Sequence, residues 1–217
     1  MIGLANMKIV GAIVLVLALL VRADDRPGRI ETLPTARGGQ ELVGQAFPAL
    51  EFSRWLNTEK NQPLETAGSV TLYRWWTDTC PYCEVTLPAI EKLRDRYAVR
   101  GLKVVAVYHP KPAGDVKDET VLAAARSRHY QGAVAVDPEW AALKKAWLSA
   151  GAGENRRRAT SVSFLIDAKG IIRFVHPGVM YFPSDKPADA EANRDYELID
   201  QAIGALLDEQ KAARARD

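Results

Sequence analysis

Trp75-Trp76-Thr77-Asp78-Thr79-Cys80-Pro81-Tyr82-Cys83 contains both cysteines of the 217-residue chain, spaced as C-x-x-C. This stretch ends an apolar run over residues 70–76, which predicts a buried strand, and it opens onto a helical pattern. A helix N-terminus favours a thiolate because its backbone N–H groups are unpaired and carry a partial positive charge. The cysteine pair therefore predicts a dithiol–disulfide redox centre.

The helix after the cysteines assigns a separate place to each sulfur. Its apolar positions recur at helical spacing up to a stop at Arg100-Gly101, and they are Leu87, Ile90, Leu93 and Tyr97. Extending this face back by four residues reaches Cys83, which should be buried, whereas Cys80 should lie at the exposed helix tip. Cys80 is therefore the predicted nucleophile and Cys83 the resolving cysteine. Pro88 lies inside the helix and should kink it.

Two other uses of a cysteine pair are less favoured. A structural disulfide across so short a loop removes little entropy from the unfolded chain. A zinc site needs more ligands than one C-x-x-C supplies, and no histidine lies at ligand spacing from the cysteines; the histidines are His109, His129 and His176.

Composition and the N-terminal segment indicate an exported protein without affinity for nucleic acid. The chain has 29 basic and 27 acidic residues, so it lacks the basic excess that nucleic acid requires. Residues 9–21 are an unbroken apolar run after Lys8. They predict a signal peptide over residues 1–23 or, as the alternative, an N-terminal membrane anchor. A polar linker over 24–41, a domain over 42–210 and a flexible tail over 211–217, frayed from Asp208, should follow.

The order of the remaining patterns predicts an α/β fold. Strands are expected over 70–75, 102–108 and 133–136, followed by a hairpin over 162–167 and 171–175. Helices are expected over 118–129 and 137–148, with Asp137 as N-cap and Pro138 at the first helical position, and a last helix contains Leu206. This order predicts a central mixed β-sheet flanked by helices on both faces.

With these features the chain resembles the thioredoxin superfamily, and in particular exported TlpA/ResA-type thiol-disulfide oxidoreductases of the redoxin group. The resemblance rests on Trp76 before the C-x-x-C, on Pro88 five residues after Cys83, and on Phe164-Leu165-Ile166-Asp167 before a glycine turn. It implies a thioredoxin-like fold and dithiol exchange with disulfide-containing or dithiol proteins, without a cofactor. It favours a reductase over an oxidase, and it makes Trp76, Pro81 and Tyr82 supporting residues.

Two positions depart from the family pattern. Arg74 stands where thioredoxin has a buried acid. We expect it to lower a cysteine pKa, the alternative being a solvated strand residue that points away from the site. Ser161 falls at the cis-proline position, so Thr160 and Ser161 are expected to form the substrate-binding loop. A cis bond before a residue other than proline costs about 2.5–4 kcal/mol, which predicts a trans Thr160–Ser161 bond.

Two further functions remain open. Thr77-Asp78-Thr79-Cys80 fits the T-x-x-C ending of the peroxiredoxin motif, although Tyr73 stands where that motif has proline. A thiol peroxidase is therefore the first alternative. The second is a non-catalytic thioredoxin-like module that binds a partner through a surface formed by Trp76 and Tyr82.

Overall fold

The computed structural model describes residues 38–150, 159–178 and 180–216. The predicted signal peptide or anchor, most of the predicted linker and most of the loop at 150–159 lie outside these ranges. Within them, no helix is both long enough and apolar enough to cross a membrane.

A six-stranded mixed sheet forms the centre of the fold, with the strand order β1-β4-β3-β2-β5-β6. The strands are β1 Arg54–Leu56, β2 Thr71–Trp76, β3 Lys103–Tyr108, β4 Ala133–Val136, β5 Val162–Ile166 and β6 Ile172–Pro177. Strands β2, β3 and β4 are parallel, and β1, β5 and β6 join the sheet in antiparallel pairs. The predicted mixed sheet is confirmed. Sequence patterns did not predict β1, because a three-residue edge strand is too short to show a period.

Helices cover both faces of the sheet, as predicted. They are α1 Pro81–Tyr97, α2 Asp118–Ser127, α3 Ala141–Leu143, which continues as a π-helix over Lys144–Leu148, and α4 Ala190–Arg214. Buried side chains of α1, α2 and α4 pack together on one face of the sheet. Helices α1 and α2 lie on the same face because each connects two parallel strands by a crossover of the same hand. The apolar side chains of α3 and its π-helical extension pack on the opposite face.

The third helix begins later than the sequence predicts. Trp140 adopts a left-handed conformation with φ of 60°, so a helix cannot run from Pro138 to Ala141. The Asp137 carboxylate still binds the first turn, since it accepts the backbone N–H groups of Ala142 at 3.1 Å and Leu143 at 2.8 Å. The predicted helix start was wrong by three residues, and the N-cap is Trp140 rather than Asp137.

The last helix is longer than predicted. It runs to Arg214, so the expectation that the chain frays from Asp208 is wrong, and the helix includes residues 211–214 of the predicted tail. Side chains anchor this end: Glu209 pairs with Arg173 at 2.9 Å, and Gln210 donates to the carbonyl of Gly68 at 2.6 Å. These partners are distant in sequence, which local patterns cannot show.

The fold also begins before residue 42. Gln40–Leu42 forms a 3₁₀ helix, and Leu42 is buried. Gly39 has a φ of 91°, and a Cβ atom at this position would lie 2.7 Å from Cγ1 of Val175. The close approach and the left-handed backbone both require glycine here. The end of the predicted linker therefore belongs to the domain.

Two neighbouring rows of side chains cross β2, β5 and β6 on opposite faces of the sheet. The aromatic row consists of Tyr73, Phe164 and Val175, which are cross-strand partners on the α3 face. The polar row consists of Arg74, Ser163 and His176, one position further along β2 and one back along β5. It lies on the face of α1 and α4, because side chains alternate along a strand. The polar row thus lies on the side of the cysteines.

Candidate active site

The two cysteines lie where the sequence predicted them. Cys80 is the N-cap of α1, with φ of −97° and ψ of 114°, and Pro81 occupies the first helical position. The Cys80 side chain is partly exposed, Cys83 is fully buried one turn further along, and the two sulfurs are not joined by a disulfide in this structure. Pro88 lies inside the same helix. Only Cys80 can therefore meet a sulfur atom of another protein.

Hydrogen bonds favour the thiolate form of Cys80. Its pKa is lowered to about 5, first because the Cys83 thiol donates to its sulfur. Partial burial opposes this shift, and the backbone N–H groups of Cys83 and Tyr82 and the hydroxyl of Ser161 add to it. A helix N-terminus was expected to supply the two backbone donors. At neutral pH, Cys80 is therefore a thiolate.

The environment of Cys83 has the opposite effect. Its pKa is raised, first because its thiol proton is held in the hydrogen bond to Cys80, and then because burial disfavours a charged sulfur. The positive charge of Arg74 acts in the other direction and favours the Cys83 thiolate. Cys83 thus keeps its proton while Cys80 is free.

Ser161 lies directly against both sulfurs. Its Oγ atom is 3.5 Å from Sγ of Cys83, and it donates to Sγ of Cys80 over 3.8 Å. The Thr160–Ser161 bond is trans, as predicted, since the cis bond among the described residues is Lys111–Pro112. The position of Ser161 agrees with its alignment to the cis-proline position. The neighbouring Thr160 side chain is buried.

Arg74 is fully buried, so the interpretation as a solvated strand residue is wrong. Its guanidinium donates to Oγ of Ser163 at 3.3 Å and lies over the ring of Tyr181, 5.5 Å from the ring centre. Its charge also acts on Cys83. The side chain therefore points to the cysteine side of the sheet.

Trp76 and Tyr82 do not form one surface. Trp76 is fully buried and packs edge-to-face on Tyr108 with ring centres 4.9 Å apart. The alternative of a binding module with an exposed Trp76 is therefore wrong in its proposed surface. Tyr82 is 49% exposed and Val85 is 37% exposed, which leaves these two apolar side chains near Cys80 for contact with a partner.

Several residues that position the cysteine loop were not predicted. The Asp78 side chain accepts the hydroxyl of Tyr108 at 3.1 Å, and its backbone carbonyl accepts a guanidinium N–H of Arg128 at 2.5 Å. His109 bonds the carbonyl of Trp76 through Nδ1 at 2.7 Å, and burial lowers the pKa of this imidazole to about 4. These contacts join β3 and α2 to the loop. No local pattern in the sequence indicates them.

A second unpredicted group lies behind the cysteines. Ser163 and Tyr181 share a hydrogen bond of 2.8 Å, and Nε2 of His176 lies 2.9 Å from a carboxylate oxygen of Asp195. Both members of the latter pair are 1% exposed. The signal in the sequence is limited to Ser163 and His176, which interrupt largely apolar strands, and β6 also contains Arg173.

The sequence comparisons place the chain in a family. Residues 42–193 match the Redoxin family, so the chain belongs to it. It is 24% identical over 197 residues to the protein DipZ of Mycobacterium bovis. The match covers 89% of this chain but only 24% of DipZ. It is 28% identical over 98 residues to the thiol-disulfide oxidoreductase YkuV of Bacillus subtilis, covering 45% of this chain and 66% of YkuV.

A solved structure confirms the thioredoxin-like α/β fold. A solution structure from Bacteroides thetaiotaomicron, described as that of a candidate protein disulfide isomerase, superposes with a TM-score of 0.55. It is 18% identical in sequence, and the match covers 79% of this chain and 94% of that one. At this identity the likeness concerns the fold alone.

Proposed function

We propose that this domain is a thiol-disulfide oxidoreductase that reduces disulfides of partner proteins through the Cys80–Cys83 dithiol. The observation that carries this proposal is the asymmetry of the pair. One sulfur is a partly exposed thiolate at a helix tip, and the other is a buried thiol within reach of it. Membership of the Redoxin family supports the same chemistry.

The reaction follows from this asymmetry. The Cys80 thiolate attacks one sulfur of the partner disulfide, a mixed disulfide forms, and the other partner sulfur leaves as a thiolate. Cys83 then loses its proton and attacks Sγ of Cys80, which releases the second partner sulfur. The two electrons pass from the dithiol to the partner, and the Cys80–Cys83 disulfide remains. Another dithiol protein must reduce it again, and no cofactor is required.

The supporting residues have distinct roles in this proposal. Ser161 donates to the attacking sulfur of Cys80, and Thr160 and Ser161 form the loop beside which the partner chain docks. The backbone N–H of Tyr82 stabilises the thiolate, Pro81 sets the first turn of α1, and Arg74 favours ionisation of Cys83.

Two further residues support the cysteine loop, and the side chain of Tyr82 has a second role. Trp76 and Pro88 fix the geometry of β2 and α1, while the exposed part of Tyr82 offers apolar contact to a partner.

An exported location, with residues 9–21 as signal peptide or anchor, is part of the proposal. It is consistent with partners that carry disulfides.

Turnover assays with two serine variants test the function. The reduced wild type should reduce insulin or a model disulfide, Cys80→Ser should be inactive, and Cys83→Ser should accumulate a mixed disulfide with its substrate. Consumption of peroxide without disulfide reduction would instead favour the thiol peroxidase. Absence of both activities would leave a binding module.

The direction of electron flow has its own test. A redox titration of the Cys80–Cys83 pair against glutathione or dithiothreitol gives the reduction potential. A reductase requires a potential well below that of strong oxidants, and a value near about −120 mV would overturn the reductase assignment.

A further inference from the structure

The polar row of the sheet continues into a larger buried network. Arg74 donates to Ser163 at 3.3 Å, and the hydroxyls of Ser163 and Tyr181 are 2.8 Å apart. The ring of Tyr181 also lies under the guanidinium of Arg74, whose central carbon is 5.5 Å from the ring centre. Tyr181 thus contacts Arg74 in two ways, through its face and through Ser163.

A carboxylate lies at the other end of the network. The His176 ring packs edge-to-face on Tyr181 with centres 4.9 Å apart, and its Nε2 atom lies 2.9 Å from Oδ2 of Asp195. Burial is the main reason why the pKa of His176 is lowered, so a neutral imidazole donates from Nε2 to the carboxylate. Asp195 belongs to α4, 121 positions after Arg74 in the sequence (195 − 74). The network therefore joins β2, β5, β6 and α4.

Burying such a network costs free energy of desolvation unless its members satisfy one another's hydrogen bonds and charges. A buried guanidinium loses its hydration, and the loss is tolerable only where hydrogen bonds and an opposite charge replace water. In this network the carboxylate is that of Asp195, which lies on a separate element and contacts His176. An apolar side chain at position 74, as in the rest of β2 on this face, would fill the space without that cost.

We propose that Ser163 and Tyr181 are positioning residues that hold the Arg74 guanidinium behind Cys83, and that Asp195, held by His176, balances its charge. The balance sets how readily Cys83 loses its proton in the mixed disulfide. This inference rests on the proposed function, because it concerns the resolving step of that reaction.

In the resolving step, a bond forms between Sγ of Cys83 and Sγ of Cys80 while the bond from Cys80 to the partner sulfur breaks. Cys83 loses one proton, and the departing partner thiolate can take one up, so the step is balanced. The Cys80 thiolate that held the Cys83 proton has been consumed, so Arg74 becomes the main charge near Cys83.

The titratable and charged groups around this network are Arg74, Cys80, His109, His176, Tyr181, Asp195 and Tyr196.

The proposal predicts shifts of opposite sign. Tyr181→Phe and Ser163→Ala release the guanidinium and should raise the pKa of Cys83 in the mixed disulfide. Asp195→Asn removes the balancing negative charge and should lower it. General loosening of the fold would shift all three variants in the same direction.

A two-step thiol assay on the full chain separates the sulfurs. Reduced protein reacts with 5,5′-dithiobis(2-nitrobenzoate): attack by Cys80 releases a first thionitrobenzoate, and resolution by Cys83 releases a second. The pH profile of the second release reports ionisation of Cys83. With Tyr181→Phe we expect the second release to be about threefold slower at neutral pH, because the pKa of Cys83 rises, while the first release is unchanged.

Tyr130→Phe is the matched control. Tyr130 is also fully buried, and its hydroxyl donates to a backbone carbonyl, that of Ala133, at 3.1 Å. This variant should keep the wild-type profile of both releases. If Tyr181→Phe matches Tyr130→Phe, or if Asp195→Asn shifts the profile in the same direction as Tyr181→Phe, the proposal is overturned. A wild type that releases only one thionitrobenzoate would instead refute the proposed function itself.

Discussion

The two rows that cross β2, β5 and β6 are neighbours in sequence but differ in chemistry. In the aromatic row, Tyr73 and Phe164 pack among further rings, with Phe47 5.1 Å from Tyr73 and Trp75 5.8 Å from Phe164 between ring centres. In the polar row, the partners at the next register position are Arg74 and Ser163. Both rows are buried, so exposure does not explain the difference.

The difference shows what each face of the sheet contributes. The aromatic row stabilises the fold through apolar burial and ring packing, and these contributions do not depend on pH. Burial of the polar row contributes little to stability, because its groups lose hydration. The charge of one member, Arg74, instead acts on Cys83. We therefore expect changes in the aromatic row to affect stability and changes in the polar row to affect thiol chemistry.

The largest expected effect is on stability, from Phe164→Ala. Phe164 is fully buried and contacts several rings, so its truncation should reduce the free energy of unfolding by about 3–5 kcal/mol, measured by urea denaturation. In the fraction that remains folded, both steps of the thionitrobenzoate assay should keep their pH profiles. A changed profile for Cys83 would contradict the separation of the two rows.

The next effect is on Cys83, from Arg74→Leu. Loss of the cation should raise the pKa of Cys83 in the mixed disulfide and slow the second release about tenfold at neutral pH. Arg74→Lys keeps the positive charge but not the planar guanidinium group, so it should restore part of the rate of the second release. Equal profiles for wild type and Arg74→Leu would remove Arg74 from the mechanism.

The remaining effect is the pH dependence of stability, which concerns the reduced protein alone. Cys80 has a lowered pKa of about 5 in the native state, so between that pH and the ordinary thiol value the unfolded chain binds a proton that the native chain does not. Stability of the reduced protein should therefore rise with pH across this window and be lost as pH falls through about 5.

Thermal or urea unfolding at pH 5 and pH 8 measures this change, and Cys80→Ser is the control that should lack it. Above the ordinary thiol value the sign reverses, since Cys83 has a raised pKa and the native state then binds the extra proton. A reduced protein that loses stability from pH 5 to pH 8, relative to Cys80→Ser, would contradict the assignment of Cys80.

Most of the fold followed from local patterns. The apolar runs of β2 and β3, the helical face through Leu87 and Ile90 and the glycine turn after β5 each depend on residues a few positions apart. The errors occurred where contacts between residues far apart in the sequence determine the ends of a helix. The end of α4 is anchored by Glu209 on Arg173. The start of α3 follows the left-handed Trp140, whose indole N–H donates to the carbonyl of Pro110 at 2.8 Å.

The same distinction applies to the site. Local sequence was sufficient to place Cys80 at the helix tip, Cys83 on the buried face and Pro88 inside α1, because one helix carries all three and its period is known. Only the tertiary structure determined three other features of the site. They are the direction of the Arg74 side chain, the contact of Ser161 with both sulfurs and the pairing of His176 with Asp195. The physical reason is that these contacts join separate strands and helices. Their geometry depends on strand register and packing, which a local pattern does not contain.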